Sequence, residues 1–234
     1  MPRRRAVPQP PQQMGEHDGL SYALFTPEGP PLGAVLVLHG AESCKEAHFE
    51  FGRSARAGGL SALVFDQRGR GASAGPLDGR MLEDLHTMAE LLGPLPLALR
   101  GSSFGGYLAL VSARALGARA VVAICPAPAE LLLRALRDGR FDFEVDLSSA
   151  LPVLEAHDES DAVAGLDAAV LYLHAEGDDV VPVAHSRELY ARTRAVDKRL
   201  IAVPGGHHGS VQHDAELTGE SLRFIRRALA RAAG

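Results

Sequence analysis

A strand-turn-helix pattern occurs near the middle of the chain, in Leu95-Pro96-Leu97-Ala98-Leu99-Arg100-Gly101-Ser102-Ser103-Phe104-Gly105-Gly106-Tyr107. Residues 95–99 form a short apolar run, which is typical of a buried strand. The run leads into a G-x-S-x-G turn, in which Gly101 and Gly105 lack the side chains that would prevent the turn from closing. A helical pattern follows at once. A strand, a sharp turn and a helix in this order lift the hydroxyl of Ser103 above the edge of a sheet.

A second G-x-S-x-G match, Gly71-Ala72-Ser73-Ala74-Gly75, lacks this context. Ser73 lies in a loop well past Asp66, Pro76 follows shortly after it, and no helix begins there. The spacing therefore predicts a loop hydroxyl for Ser73. Ser103 is the candidate nucleophile.

Short apolar runs alternate with helical patterns along residues 20–234. The strand-like runs cover residues 34–38, 60–65, 95–99, 120–124, 169–173 and 200–203. The helical patterns cover residues 45–56, 81–92, 107–116, 186–195 and 214–232. Strands that are apolar throughout and alternate with helices are typical of a parallel sheet with both faces covered. The sequence therefore predicts one α/β domain with a doubly wound, mostly parallel sheet.

Two segments depart from this alternation. Residues 126–167 are too long for an ordinary crossover and contain two short helical patterns, so we expect a small helical cap inserted there. Residues 1–19 are rich in Pro and Gln and show no periodicity, which predicts a disordered N-terminal tail without an assigned function.

Composition and charge limit the class of protein. Of 234 residues, 46% are apolar and 23% are charged, which is ordinary for a soluble globular chain. The 24 basic residues are outnumbered by 29 acidic ones, so nucleic acid is not an expected partner. No apolar run approaches the roughly 20 residues of a membrane span, so a membrane is not an expected partner either. Oligomeric state stays open.

The cysteines and the N-terminus favour a cytoplasmic protein. The chain has two cysteines, Cys44 and Cys125, which form neither a disulfide framework nor a C-x-x-C metal motif. Three arginines near the N-terminus are followed by prolines and glutamines where a signal peptide has an apolar segment. We therefore expect no export.

A nucleophilic serine needs a histidine base, and that base needs a carboxylate to orient it. Acidic residues follow the predicted strand 169–173, in the segment Asp178-Asp179-Val180-Val181-Pro182. Histidines follow the predicted strand 200–203, in the segment Pro204-Gly205-Gly206-His207-His208. Each set comes directly after a strand, and the order Ser, acid, His is the one found behind a strand-turn-helix serine.

These motifs together resemble the α/β-hydrolase superfamily, in its compact branch of dienelactone-hydrolase-like and serine-aminopeptidase-like proteins. Leu38-His39-Gly40-Ala41 resembles its His-Gly oxyanion loop, and Asp66-Gln67-Arg68-Gly69-Arg70-Gly71-Ala72-Ser73 resembles its D-x-R-G-x-G-x-S loop. The acidic segment resembles D-x-x-V-P, and the histidine segment resembles P-G-x-x-H.

The resemblance implies a catalytic triad of Ser103, Asp178 and His208, with His207 as a less favoured base. It also implies an oxyanion hole made by the backbone N–H groups of Ala41 and Phe104. His39 is expected to stabilise its loop by hydrogen bonding instead of acting on substrate.

The sequence departs from this resemblance at two points, and each makes one reaction of the superfamily less expected. Members with dienelactone activity use a cysteine nucleophile, whereas this elbow contains Ser103. Peptidases of the prolyl-oligopeptidase type have a large upstream domain, for which the tail before residue 20 leaves no room. Peptide cleavage is therefore disfavoured.

Neither a metal nor a cofactor is expected. His207, His208, His213 and Asp214 are close in sequence but do not have the spacing of a metal motif, and Asp214 is better explained as a helix N-cap. The segment Gly69-Arg70-Gly71 lacks the G-x-G-x-x-G pattern of a dinucleotide site.

The predicted function is that of a serine hydrolase, most similar to carboxylesterases (EC 3.1), which cleaves an ester, thioester or related acyl bond through an acyl-enzyme. A short cap and an aromatic content of 5% predict a small to medium acyl substrate, held against cap leucines and Phe141 or Phe143. Two alternatives stay open. The site could transfer the acyl group to an acceptor other than water, or the fold could serve as a non-catalytic binding protein.

Overall fold

An eight-stranded sheet runs through the protein in the order β1-β2-β4-β3-β5-β6-β7-β8. The structure is a computed structural model and describes residues 9–231. The strands are β1 (Gln13–His17), β2 (Leu20–Phe25), β3 (Ala34–Leu38), β4 (Ser61–Phe65), β5 (Leu97–Ser102), β6 (Ala120–Ile124), β7 (Ala169–Ala175) and β8 (Lys198–Val203). The helices are α1 (Phe49–Ala57), α2 (Met81–Glu90), α3 (Phe104–Ser112), α4 (Ala129–Arg137), α5 (Leu147–Ala156), α6 (Glu159–Ala164), α7 (Val183–Arg192) and α8 (Ala215–Arg231).

The predicted α/β class and mostly parallel sheet are confirmed. Strands β3 to β8 pair in parallel, whereas β2 pairs antiparallel with both β1 and β4. All residues of β3, β4 and β6 are buried, which explains why these strands are apolar except for Ser61 at the start of β4. In the described residues no helix is both long and apolar enough to cross a membrane.

The N-terminal hairpin corrects one prediction. Residues 13–17, expected in a disordered tail, form strand β1, while residues 1–8 of that tail lie outside the described range. β1 is almost wholly exposed at the sheet edge, so its side chains carry no apolar pattern. The signal that marks the hairpin is Asp18-Gly19, whose φ angles of 52° and 74° are both positive. A D-G pair in this conformation forms the tight turn that joins two antiparallel strands.

Helices cover both faces of the sheet. On one face, α1 and α8 contribute Phe51, Ala55, Phe224 and Ile225 to an apolar cluster with β3, β4, β6 and β7. On the other face, α2, α3 and α7 pack in a second cluster, which also includes residues of α4, α5 and α6. The loops that leave the carboxyl ends of the parallel strands therefore meet at one edge between these layers.

Helices α4, α5 and α6 lie between β6 and β7, within residues 126–167, where the cap was expected. The loop between α4 and α5 is attached to the loop after β4. Leu77 N–H donates to Glu144 O at 2.9 Å, and Asp146 N–H donates to Leu77 O at 2.8 Å. Arg70 adds an ion pair of 2.8 Å to Asp142, and its guanidinium lies 4.9 Å from the centre of the Phe143 ring.

Helix α3 begins at Phe104, earlier than the predicted residue 107, although two glycines open it. These glycines are required by packing rather than by helix propensity. A Cβ atom on Gly105 would collide with the backbone carbonyl oxygens of Leu38 and His39 at the end of β3. Glycine at this position therefore lets α3 approach β3 closely, which fixes the serine turn against the next strand.

We predict that Gly105→Ala lowers the free energy of unfolding by about 1–3 kcal/mol, because the added methyl group overpacks the contact between α3 and β3. Gly29→Ala is the matched control, since a Cβ atom there would have nothing within 4 Å. Urea unfolding of both variants measures the difference. Equal stability of the two variants would contradict the packing role of Gly105.

Candidate active site

Ser103 occupies a strained turn between β5 and α3. Its φ of 54° and ψ of −115° lie where residues other than glycine seldom occur. Ser103 N–H donates to Ile124 O at 2.9 Å, and Tyr107 N–H donates to Ser103 O at 3.0 Å. These backbone hydrogen bonds hold the turn, and the half-buried side chain reaches the carboxyl edge of the sheet.

Ser73, the competing serine, has a structural role. Its hydroxyl accepts a hydrogen bond from Ser21 N–H at 2.8 Å and donates one to Asp66 O at 2.5 Å. Both partners are backbone groups that hold the loop after β4 against β2. The hydroxyl of Ser73 is therefore engaged, as the loop prediction requires.

Asp178 and His208, predicted from two separate motifs, are in direct contact. His208 Nδ1 lies 2.7 Å from Asp178 Oδ2. A carboxylate can only accept, so the proton of a neutral imidazole is on Nδ1 and donates to Asp178. The lone pair of Nε2 is then free to accept a proton from another group.

The carboxylate of Asp178 is held from several sides. Its side chain has no exposed surface, and Oδ1 accepts from Val180 N–H at 2.9 Å and from Val181 N–H at 2.8 Å. Burial alone would raise the pKa of Asp178, but the hydrogen bonds from Val181, His208 and Val180 outweigh burial and lower it. Asp178 is therefore an ionised, fixed acceptor.

The neighbouring candidates do not take part in this contact. Asp179 is exposed, and so is His207. His207 closes a local turn, in which its carbonyl oxygen accepts from Ser210 N–H at 3.0 Å and its Nδ1 accepts from Gly209 N–H at 3.2 Å. Asp178 and His208 therefore contact each other, whereas their chain neighbours Asp179 and His207 are exposed.

Two buried residues near Asp178 were missed by the sequence analysis. His174 Nε2 donates to Val181 O at 2.9 Å and lies 3.3 Å from Asp178 Oδ2. Burial lowers the pKa of His174, which therefore stays neutral. Cys125 follows β6 with a φ of 42°, and its Sγ lies within 4.8 Å of ligand atoms of Asp178 and His208. Neither residue belongs to a motif, so the sequence held no signal for them.

Ser103, His208 and Ala41 line one cavity of about 350 Å³. The other lining residues are Gly40, Glu42, Ser43, Ser102, Phe141, Val180, Gly209 and Gln212. The expected aromatic wall is present in Phe141, which stacks on Phe143 at 5.1 Å between ring centres. The expected cap leucines are absent from this lining, because Leu131, Leu132 and Leu133 pack toward the core. A larger cavity of about 510 Å³ lies between Gln9 and α1 and includes none of the predicted site residues.

The loop after β3 is held in place by His39. His39 Nε2 accepts from Gln67 N–H at 3.0 Å, so Nδ1 carries the proton and donates to Gly40 O at 2.7 Å. Burial lowers the pKa of His39, which agrees with a neutral ring. The predicted stabilising role of His39 is confirmed. Phe104 is the first residue of α3, so its N–H has no acceptor within the helix.

The cluster weighed for metal binding does not assemble. Asp214 Oδ1 accepts from Leu217 N–H at 2.9 Å, as expected of an N-cap, and His213 contacts Gln212 at 2.7 Å. Within residues 9–231, two other groups bring ligand atoms within 4.8 Å of one another. These groups are Cys125, Asp178 and His208, and Cys44, Glu46 and Asp66.

The fold is shared with solved hydrolases. The monoacylglycerol lipase of Paleococcus ferrophilus superposes with a TM-score of 0.71 and 21% identity, covering 91% of this chain and 98% of the lipase. Est1E of Butyrivibrio proteoclasticus, solved with ferulic acid bound, has a TM-score of 0.72 and 18% identity over 95% of this chain and 100% of Est1E. A soluble variant of Saccharomyces cerevisiae monoglyceride lipase, solved with a substrate analogue, has a TM-score of 0.72 and 17% identity over 98% of both chains.

Sequence comparison gives the family. An uncharacterized protein of Mycobacterium tuberculosis strain H37Rv is 29% identical over 202 residues, which cover 81% of this chain and 68% of that protein. The sequence profile of the prolyl oligopeptidase family matches residues 89–232, the part that contains Ser103, Asp178 and His208. The expected α/β-hydrolase resemblance is therefore confirmed, and the chain belongs to the prolyl oligopeptidase family of α/β hydrolases.

Proposed function

We propose that the protein is a serine hydrolase that cleaves an ester, thioester or related acyl bond of a small to medium substrate. Ser103 is the nucleophile, His208 the general base and Asp178 the orienting acid. The observation that carries this proposal is the 2.7 Å contact between His208 Nδ1 and Asp178 Oδ2, beside a cavity that His208 shares with Ser103.

The proposed reaction follows from the proton positions. Ser103 Oγ attacks the acyl carbon while His208 Nε2 takes the hydroxyl proton, and Asp178 stabilises the resulting imidazolium. Protonated Nε2 then gives this proton to the leaving group. A water molecule then gives a proton to His208 Nε2 and attacks the acyl carbon, and Nε2 returns that proton to Ser103 Oγ as the acid is released.

The proposed oxyanion hole uses backbone groups. The N–H of Phe104 is free at the start of α3, and the positive end of the helix dipole lies there. Ala41 follows the loop that His39 fixes and lines the same cavity as Ser103. Such donors, fixed before the reaction, stabilise the negative oxygen of a tetrahedral intermediate without needing particular side chains.

The cavity supports a substrate of modest size. Its volume of about 350 Å³ is near the lower end of the range of small-molecule pockets, which is roughly 300–1,000 Å³. The lining contains one aromatic side chain, Phe141, among several small and polar residues. Structures with the same fold include a monoacylglycerol lipase, which agrees with acyl-ester chemistry, and Est1E with ferulic acid bound.

An amide or peptide bond is a second candidate substrate, because the family match is to prolyl oligopeptidases. The same triad would serve either bond. Parallel assays with p-nitrophenyl esters and aminoacyl p-nitroanilides compare the two by kcat/KM. We expect a higher value for the esters, and a higher value for the anilides would reverse the assignment.

We predict that a fluorophosphonate probe labels Ser103 and that Ser103→Ala abolishes both labelling and esterase activity. Ser73→Ala is the control, because the Ser73 hydroxyl bonds to the backbone groups of Ser21 in β2 and Asp66 after β4. Peptide mapping of the labelled protein identifies the site. Full esterase activity in Ser103→Ala would exclude it as the nucleophile. An inert protein with no labelled serine would favour a binding role.

We predict that Asp178→Asn lowers kcat by roughly 10⁴, because an amide no longer holds the imidazole in the required tautomer. His208→Ala should cause a loss at least as large. Asp179→Asn and His207→Ala are the matched controls, since both residues are exposed, and they should change kcat only slightly. A larger loss in either control than in its neighbour would reassign that role.

We predict that kcat/KM is highest for short or medium acyl chains in a series of p-nitrophenyl esters from acetate to palmitate. The cavity has too little volume and apolar lining for a long chain. Phe141→Ala should change KM and chain preference more than kcat. A maximum at palmitate would contradict the proposed pocket. Added alcohol or thiol acceptors, with product analysis, separate acyl transfer from hydrolysis.

A further inference from the structure

Three side chains from different strand ends meet behind the cavity. Cys125 follows β6, Asp178 lies between β7 and α7, and His208 follows β8. The Cys125 Sγ, a carboxylate oxygen of Asp178 and a ring nitrogen of His208 all lie within 4.8 Å of one another. Sulfur, nitrogen and carboxylate oxygen are the ligand types that zinc prefers, and three protein ligands leave a fourth position for water.

The second such group, Cys44, Glu46 and Asp66, already holds a cation. Lys45 Nζ lies 2.6 Å from Asp66 Oδ2 and 3.0 Å from Glu46 Oε1. A metal ion there would have to displace or repel a buried ammonium group, which is unfavourable. The two groups therefore differ in charge although their spacing is similar.

No lysine or arginine among residues 9–231 forms an ion pair with Asp178. Its ion-pair contacts within 4.0 Å are the histidines His174 and His208. Among the described residues, no permanently charged side chain therefore balances the carboxylate. This group thus combines a buried negative charge, a thiol and an imidazole without a resident cation.

We propose that Cys125, Asp178 and His208 form a binding site for a zinc ion, and that zinc held there switches off the hydrolytic site. The binding follows from the ligand set alone. The switching-off rests on the proposed function, because it requires His208 to be the base.

The effect on His208 follows from where its proton must go. In the metal-free site the proton is on Nδ1, which donates to Asp178 Oδ2 at 2.7 Å. Zinc can bind Nδ1 only after Nδ1 loses its proton, and the neutral ring then carries its one proton on Nε2. Zinc also replaces the thiol proton of Cys125, which leaves to the buffer. With a proton on Nε2, His208 cannot accept one from Ser103.

The cavity offers a route to the site. The side chain of His208 is 22% exposed and lines the cavity, whereas the side chain of Asp178 is fully buried. A metal ion would therefore meet the imidazole first, and the imidazole must move slightly away from Asp178 to admit it. Zinc should accordingly enter through the cavity, and a ligand that fills the cavity should slow the onset of zinc inhibition.

The test measures metal binding and activity separately. Calorimetric titration with zinc chloride compares the unsubstituted protein with Cys125→Ala, Cys125→Ser and the matched control Cys44→Ala. Loss of an outer hydrogen-bond partner already weakens metal sites by about 10–100-fold, so loss of a thiolate ligand should weaken zinc binding by at least that factor. Cobalt chloride gives a second readout, since a thiolate ligand produces a charge-transfer band in the near ultraviolet.

We expect the cobalt band and tight zinc binding in the unsubstituted protein and in Cys44→Ala, and neither in the two Cys125 variants. Zinc should inhibit ester hydrolysis at the concentration at which it binds, relative to each variant's own metal-free rate, and a chelator should restore the rate. Loss of the band in Cys44→Ala instead, or equal zinc inhibition in Cys125→Ala, would overturn the proposed site. If no ester is hydrolysed at all, the proposed function fails while the binding measurements still decide the site.

Discussion

The contact between the serine turn and the end of β3 is the constraint on which the rest of the site depends. Ser103 has a φ of 54°, a conformation that costs free energy and persists only where the surroundings enforce it. Here the enforcement comes from glycines: a Cβ atom on Gly101 would collide with the backbone of Gly105, and one on Gly105 with the carbonyl oxygens at the end of β3. Because β3 also leads into the loop with Ala41, this packing relates the serine to that loop.

The loop that contains His208 is held by β5, the strand that leads into the serine turn. Arg100 precedes the serine turn in β5, is buried beside Phe51, and donates from Nη2 to Gln212 O at 2.9 Å. Gln212 follows His208 in the loop that leads to α8. Thus one strand positions Ser103 through the backbone at its end and supports the His208 loop through a side chain. The same arrangement explains why a charged residue occurs in a central strand.

The sequence predicted those parts of the fold that require a particular residue type, such as apolar residues in a strand or glycine in a tight turn. Apolar runs identified strands β3 to β8, although β8 is only partly buried, and the glycines around Ser103 identified the turn. The exposed strand β1 was missed because a strand at the sheet edge needs only backbone hydrogen bonds, and the Asp18-Gly19 turn was its sole local signal. His174 and Cys125 were missed for a different reason. Cys125 reaches Asp178 from the end of the neighbouring strand β6, 53 positions earlier in the chain. His174 lies in β7, 4 positions before Asp178, and spacing alone does not show that these side chains meet.

The buried carboxylate explains both the proposed catalysis and the proposed inhibition. Asp178 remains ionised because backbone N–H groups of Val180 and Val181 bind one oxygen, which leaves the other for His208. An ionised acceptor fixes the proton on Nδ1 and makes Nε2 a base. The same negative charge, next to a thiol and lacking a lysine or arginine partner in the described chain, attracts a soft divalent cation. When His208 Nδ1 donates its proton to Asp178, Nε2 is free to act as a base. When zinc binds Nδ1, Nε2 carries the proton and cannot act as a base. Both proposals therefore depend on the tautomer of His208.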